Sequence, residues 1–314
     1  MFVLGIDAGG TRTVCQLADA EGRILAEARG PGANLQAVGE LDVEKVLHQV
    51  IDRTLGDSPG RLSAICLGMA GVDRPRDAEI VHGILGRIGH RARVLVVNDA
   101  LIALEAGLPE APGIVLIAGT GSIAYGRDDA GRAARAGGWG YVLGDEGSGY
   151  WLGRQALRAV VRSADGRGPA TALTTRILAH YHVTRPDELV REIYVGGTRP
   201  SAIAALARDV QAAAQDDEDP VAQHIIDSGA SELAAAATSV ARQLRLEAPT
   251  IILSGGTLRG VARLAAGVTM HLVHRLPGAV VRRLEVEPAV GAVRLATAFA
   301  QGRATVPAYF GPSA

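Results

Sequence analysis

Phe2-Val3-Leu4-Gly5-Ile6-Asp7-Ala8-Gly9-Gly10-Thr11 is a short apolar run that ends in a carboxylate and a double glycine. The run predicts a buried strand, and the glycines predict a tight turn into a second strand. Ile114-Val115-Leu116-Ile117-Ala118-Gly119-Thr120-Gly121-Ser122 repeats the same features about one third of the way along the chain. A strand that runs at once into a Gly-Thr turn, and that occurs twice, indicates an internal duplication.

The elements predicted around the two turns follow the same order. The first turn leads into two further strands (13–18, 24–28), and the second does the same (123–126, 133–136). After the first set we predict helices near 43–51, 80–88 and 100–106 and strands at 64–69 and 94–97. After the second set we predict a mostly helical stretch from 147 to about 245, strands at 251–253 and 280–286, and helices at 261–273 and 292–300.

This order predicts an α/β fold built from two copies of one domain, with a ligand bound in a central cleft. The first domain is predicted at 1–109 plus 297–314, because chain ends usually close on the domain in which they began. The second is predicted at 110–296, with a helical insertion.

Composition excludes several classes of function. The 314 residues carry a net charge of −1 and only 4% aromatics, which argues against nucleic acid as a partner. Cys15 and Cys66 lie in apolar runs and are interpreted as buried thiols rather than a metal site. No long apolar stretch or basic leader is visible, so we predict a cytoplasmic protein with no membrane partner.

Both Gly-Thr turns have the chemistry of a phosphate site. Glycines let the backbone approach a phosphate, and the N–H groups of a turn form an anion-binding nest. Thr11 can add a hydroxyl donor, and Asp7 can hold Mg²⁺ directly or through water. An ordinary glycine-rich hairpin is the alternative for the first turn. The second turn also matches the dinucleotide fingerprint, but that motif requires a following helix where we predict a strand, so NAD is disfavoured.

Asp99 follows a predicted strand, Val94 to Val97, and precedes a predicted helix. A carboxylate there can act as a general base at the carboxyl end of a strand. The alternative is a helix N-cap, for which aspartate is well suited.

The stretch Gly137-Gly138-Trp139-Gly140, followed by Gly144-Asp145-Glu146-Gly147-Ser148, resembles the N-acetylglucosamine kinase family and its BadF/BadG-type relatives, within the actin, hexokinase and Hsp70-like ATPases. The resemblance implies duplicated ribonuclease H-like domains, ATP and Mg²⁺ as cofactors, a small sugar substrate and a homodimer. It also implies that Asp99 removes the proton from the sugar 6-hydroxyl and that Asp7 serves the metal. The implied sugar contacts are Asn34, Asp99, Ser122, Gly138, Trp139, Gly140 and Asp145. The implied nucleotide contacts are Gly9, Gly10, Thr11, Arg12, Gly119, Thr120, Gly121, Gly255, Gly256 and Thr257.

The predicted substrate is an amino sugar, most simply N-acetylglucosamine. Glucosamine, N-acetylmuramic acid and a broader set of hexoses stay open as alternatives. A reductase-activating ATPase is disfavoured, because no cysteine lies near the second turn or the Gly138–Asp145 stretch to hold an iron–sulfur cluster. A sugar sensor without catalysis is disfavoured by the intact Asp7 and Asp99.

Overall fold

A computed structural model of the protein describes residues 1–35, 39–56, 62–72, 75–89, 91–195 and 198–309. Tertiary contacts group the chain into two compact units. The first unit comprises residues 1–115, 125–134 and 283–314, and the second comprises 116–124 and 135–282.

The first sheet has five strands in the order β3-β2-β1-β4-β5. Strands β1 and β2 and strands β2 and β3 pair antiparallel, as a meander, whereas β1–β4 and β4–β5 pair in parallel. These are the strands predicted from the first turn outward, and each is longer than predicted by at most a few residues. Their bounds are β1 (Phe2–Ala8), β2 (Arg12–Ala18), β3 (Ile24–Pro31), β4 (Leu62–Met69) and β5 (Arg93–Asn98).

The second sheet repeats this order. It runs β10-β9-β6-β7-β8-β11, so the strands β8-β7-β6-β9-β10 follow one another as β3-β2-β1-β4-β5 do in the first sheet. The predicted duplication is therefore confirmed, and the short strand β11 is an addition that the sequence did not indicate. The bounds are β6 (Gly113–Ala118), β7 (Ser122–Arg127), β8 (Arg132–Gly137), β9 (Thr250–Ser254), β10 (Val280–Arg283) and β11 (Ala308–Tyr309).

Helices cover the first sheet and fill the predicted helical insertion. A 3₁₀ turn (Pro186–Glu188) and a π-helical turn (Arg191–Val195) interrupt the insertion. The helices of the described residues are α1 (Glu40–Leu55), α2 (Pro75–Arg87), α3 (Asp99–Gly107), α4 (Gly149–Ala164), α5 (Leu173–His180), α6 (Pro200–Ala205), α7 (Ala207–Asp216), α8 (Pro220–Leu244), α9 (Gly256–Gly260), α10 (Ala262–Arg275) and α11 (Pro288–Ala300).

Strand β1 is buried on both faces because its side chains alternate between two layers of helices. Leu4 and Ile6 join the core cluster that contains α1 and α2. Gly5 faces α11 instead, where an added Cβ would lie 2.4 Å from the Val293 nitrogen. The last helix therefore packs on the unit in which the chain began, as the sequence predicts.

Helix α11 also touches α3 through a glycine. A Cβ at Gly291 would lie 1.9 Å from the carbonyl oxygen of Ile102, so only glycine permits this backbone approach. Gly291 therefore permits the close packing of these two helices.

Both cysteines are buried in strands, as predicted. Burial raises the pKa of the Cys15 thiol to about 12, and burial likewise raises the pKa of Cys66. Neither thiol is ionised near neutral pH, so both act as small apolar side chains.

A buried ion pair lies at the C-terminal end of α3, the helix that begins at Asp99. Arg127 Nη1 donates to Glu105 Oε2 at 2.6 Å, and the two side chains are only 9% and 5% exposed. The remaining donors of Arg127 bind the carbonyl oxygens of Leu108 at 2.5 Å and Ala111 at 2.9 Å. One guanidinium thus satisfies a buried carboxylate and two backbone carbonyls beyond the helix end.

Replacing this arginine tests the contribution of the pair to stability. Arg127→Met should lower the free energy of unfolding by about 3–5 kcal/mol, because it leaves the Glu105 charge buried without its partner. Urea unfolding followed by circular dichroism measures the change.

Arg263→Met is the matched control. Arg263 pairs with Asp227 at 2.8 Å, but the side chains are 42% and 50% exposed, so the loss should stay within about 1 kcal/mol. Equal losses in the two variants would contradict the assignment of Arg127.

Candidate active site

The first Gly-Thr turn joins β1 to β2 in the first unit. The Gly9 N–H donates to the carbonyl of Arg12 at 3.0 Å and closes the turn. Asp7 lies buried on β1, two residues before Gly9. Gly10 and Thr11 are exposed, and a Cβ at Gly10 would meet no atom within 4 Å. The turn therefore has the open backbone that a phosphate requires.

Asn34 lies beside this turn because the segment that carries it is bonded to the turn. The Ala33 N–H donates to the carbonyl of Gly9 at 3.1 Å. A Cβ at Gly32 would lie 2.3 Å from the carbonyl oxygen of Gly10, so the two backbones are in direct contact. The structure thus brings Asn34 together with Gly9 and Gly10, which are 24 or more residues away in sequence.

Arg12 is held by an ion pair that the sequence did not indicate. Its Nη2 donates to Glu287 Oε2 at 2.8 Å, and Arg29 Nη2 donates to the other oxygen of Glu287 at 3.0 Å. Glu287 immediately precedes α11, so the end of this helix fixes the side chain next to the turn. A role for Arg12 in nucleotide binding stays a prediction.

Asp99 is the first residue of α3 and is partly buried. The N-cap of this helix is Asn98, whose side-chain oxygen accepts the N–H of Ala100 at 2.7 Å. Asp99 is therefore not the capping residue that the alternative interpretation required. Sequence reasoning missed Asn98, although asparagine is as good a cap as aspartate and stands one residue earlier.

The second Gly-Thr turn joins β6 to β7, and other backbone segments of the second unit hold it. The carbonyl of Gly119 accepts the N–H of Gly149 and the hydroxyl of Thr257, both at 2.8 Å. The carbonyl of Thr120 accepts the N–H of Tyr150 at 3.2 Å. Because β7 is a strand and no helix follows the turn, the interpretation as a dinucleotide fingerprint is excluded.

Gly255 lies against the end of β6. Its φ of +101° is in the region that favours glycine, and a Cβ there would lie 2.3 Å from the carbonyl oxygen of Ala118. Gly256 begins α9 directly after it, and Thr257 is the residue that binds Gly119. The structure thus joins two predicted nucleotide segments, residues 119–121 and 255–257, in one place.

The Gly138–Asp145 loop folds onto the start of β7. The Gly138 N–H donates to the carbonyl of Ser122 at 2.9 Å, and the Ser122 hydroxyl donates to the carbonyl of Glu146 at 2.9 Å. The carboxylate of Asp145 in turn accepts the N–H groups of Ser122 and Gly140. Four of the predicted sugar contacts therefore form one bonded cluster, with Trp139 between Gly138 and Gly140.

Asp145 occupies an unusual position in this cluster. Its φ of +61° is rare for a residue with a side chain, and only 7% of its surface is exposed. Burial raises the pKa of Asp145, and Glu146 acts in the same direction, against the two N–H donors that lower it. A strained backbone around a buried acid is typical of functional sites.

Trp139 is 59% exposed and lies at the surface of the loop. The guanidinium carbon of Arg135, on β8, is 4.9 Å from the centroid of its ring. Sequence reasoning missed Arg135, although it stands only two residues before the Gly137-Gly138 pair.

Ser148 caps α4 by accepting the Trp151 N–H at 3.2 Å. The last residue of the motif thus caps a helix, whereas the Gly138–Asp145 loop forms the hydrogen-bonded cluster. A cavity of about 420 Å³ lies elsewhere, on the face of α4 opposite Gly149 and Gly153, and borders α8. Among its lining residues are Trp151, Gln155, Arg158, Arg162, His224 and Ser228.

The described residues contain neither a membrane-spanning helix nor a ready-made cluster of metal ligands. No helix there combines the length and the apolar character needed to cross a membrane. Nor do three or more His, Cys, Asp or Glu side chains of the described ranges gather as a group that could hold a metal ion.

Comparison with known proteins gives relatives along nearly the whole chain. An N-acetylmuramic acid/N-acetylglucosamine kinase of Clostridium acetobutylicum is 35% identical, over 94% of this chain and 98% of the relative. An N-acetyl-D-glucosamine kinase of Dictyostelium discoideum is 30% identical, over 93% of this chain and 97% of the relative.

Two solved structures share the fold of this chain. A Chromobacterium violaceum protein assigned as an N-acetylglucosamine kinase has a TM-score of 0.77 and 26% identity, over 93% of this chain and 98% of that one. A ROK family glucokinase from Streptomyces griseus, solved with glucose and AMPPNP, shares the fold with a TM-score of 0.59 at 18% identity, over 94% of this chain and 99% of that one. The family profile matches residues 4–296, and the chain belongs to the BadF/BadG/BcrA/BcrD ATPase family.

Proposed function

We propose that the protein transfers the γ-phosphoryl group of ATP to an amino sugar of the N-acetylglucosamine class. The observation that carries this function is the 35% identity to an N-acetylmuramic acid/N-acetylglucosamine kinase, because it extends over 94% of this chain. The bonded cluster of Ser122, Gly138, Gly140 and Asp145 supports it, since it holds polar groups around an exposed tryptophan as a sugar site requires.

The two Gly-Thr turns take the phosphates of the nucleotide. The first offers Gly9, Gly10 and the hydroxyl of Thr11, and the second offers Gly119, Thr120 and Gly121. Gly255, Gly256 and Thr257 receive the adenosine, since glycines there let the nucleotide lie against backbone. The exposure of Gly10 and Thr11 supports the first assignment.

Asp7 fits a magnesium ion that is shared with the phosphates. Mg²⁺ keeps several waters and takes one or two carboxylates together with phosphate oxygens, so a single buried aspartate beside the first turn suffices. The ion would neutralise phosphate charge when bound. Asp7 would hold and orient the ion from the end of β1.

The sugar lies against Trp139, and its hydroxyls bond Asn34, Ser122 and Asp145, with backbone contacts to Gly138 and Gly140. An ionised carboxylate accepts from two vicinal hydroxyls at once, and an indole face gives a sugar ring an apolar wall. Asp99 accepts the proton of the 6-hydroxyl as that oxygen attacks phosphorus.

Asp99→Asn tests the general base. The amide cannot take up the proton, so kcat should fall by about 100- to 10,000-fold while the KM for the sugar changes little. Coupled measurement of ADP release over a range of sugar concentrations gives both constants. Asp129→Asn, which neutralises an exposed acid in a turn, should leave them unchanged, and turnover near the wild-type rate in Asp99→Asn would remove Asp99 from this role.

A panel of sugars tests the substrate class. N-acetylglucosamine and N-acetylmuramic acid should each give kcat/KM at least about 10-fold above glucosamine or glucose, because one well-placed group in a pocket discriminates by this factor or more. ADP release with ATP and each sugar provides the comparison. A preference for unmodified glucose would make the protein a hexose kinase instead.

Asp145→Asn should trade activity for stability. Since burial raises the pKa of Asp145 in the folded protein, the ionised carboxylate costs stability above that pKa, and the cost disappears as the pH falls below the unfolded value. The variant should therefore have a higher urea midpoint than the wild type at about pH 8, and no advantage near pH 3.9, the ordinary value for aspartate.

The same variant should lose sugar turnover, because an amide offers one acceptor oxygen and a charged carboxylate offers two. Asp165→Asn, at an exposed position in the same unit, serves as the control for both measurements. A variant that is less stable than the wild type at every pH would contradict burial as the cause of the raised Asp145 pKa.

We also propose that the protein forms a homodimer and that it is located in the cytoplasm. The family resemblance supports both statements, and sedimentation of the purified protein tests the first.

A further inference from the structure

Arg135 occupies a defined place next to the Gly138–Asp145 loop. It lies on β8, is partly buried, and its guanidinium carbon is 4.9 Å from the centroid of the Trp139 ring. A guanidinium over an aromatic face is held by cation–π attraction. A guanidinium carries five N–H donors in one plane, and this fork matches the oxygens of a carboxylate or a phosphate.

The charges of the neighbouring segments make this arginine distinctive. Residues 116–124, 137–149 and 254–257 form the site of the second unit, and they carry Asp145 and Glu146 but no lysine, arginine or histidine. Arg135 is two residues outside this set and touches its tryptophan. A kinase site must bind oxyanions, and an arginine binds carboxylate or phosphate oxygens through paired N–H donors.

We propose that Arg135 is a substrate-contacting residue that binds an oxyanion at the sugar site. This inference rests on the proposed function. The contact with Trp139 holds the guanidinium beside the Gly138–Asp145 loop. The oxyanion has two possible sources. One is the carboxylate of the lactyl ether that distinguishes N-acetylmuramic acid from N-acetylglucosamine, and the other is the phosphoryl group in transfer.

Steady-state kinetics of Arg135→Met with both sugars distinguishes the sources. Methionine keeps an apolar stem against Trp139 but removes the charge. If Arg135 binds the lactyl carboxylate, kcat/KM should fall by about 10- to 100-fold for N-acetylmuramic acid and stay near the wild-type value for N-acetylglucosamine. If it binds the phosphoryl group, kcat should fall by a similar factor for both sugars, with the sugar KM nearly unchanged.

Arg135→Lys and Arg158→Met are the matched variants. Lysine keeps the charge without the planar fork, so it should recover part of whichever loss methionine causes. Arg158 is exposed and lines the separate cavity that borders α4 and α8, and its replacement should leave the kinetic constants for both sugars unchanged.

Wild-type kinetics in Arg135→Met with both sugars would overturn the inference, because packing against Trp139 would then be the whole role of the side chain. Equal activities of the methionine and lysine variants, both low, would also overturn it in favour of a purely structural contact. A wild-type protein that phosphorylates neither sugar would instead remove the proposed function, and the inference with it.

Discussion

Three hydrogen bonds to the carbonyls of the second Gly-Thr turn organise the site of the second unit. The N–H groups of Gly149 and Tyr150 and the hydroxyl of Thr257 converge on Gly119 and Thr120. They tie the turn to the first residues of α4 and to α9, and the loop that precedes α4 is bonded in turn to Ser122. The two bonds to α4 join backbone groups and so do not depend on side-chain identity, whereas the bond to α9 requires the hydroxyl of Thr257.

The fold could be predicted to a large extent because its signals are local. Apolar runs bounded by glycine turns marked the strands, and the repeated strand–turn unit predicted two sheets with matching order. Gly291 could be predicted to permit close packing, since a glycine inside a helix usually has such a reason. The short strand β11 and the division of the insertion into several helices carry weaker patterns and were not predicted. The domain bounds at 109/110 and 296/297 stay predictions.

The site was predicted less completely because its bonds connect residues that are distant in sequence. Asn34 was named by resemblance, but its attachment to the first turn depends on a contact between Gly32 and Gly10 that only the folded chain reveals. Likewise, nothing in the sequence indicates that Glu287 holds Arg12. Asn98 could have been found, since two capping residues stood side by side and only one can occupy the N-cap.

The central claim is that phosphorus moves from ATP to the 6-oxygen of an amino sugar at this site. Phosphorus–proton correlation NMR of the reaction with ATP and N-acetylglucosamine tests it most directly, because it identifies the bond that forms. The account predicts a product phosphorus coupled to the two protons on C6, in amounts equal to the ADP released. Inorganic phosphate as the only phosphorus product besides ADP, with the sugar unchanged, would contradict it.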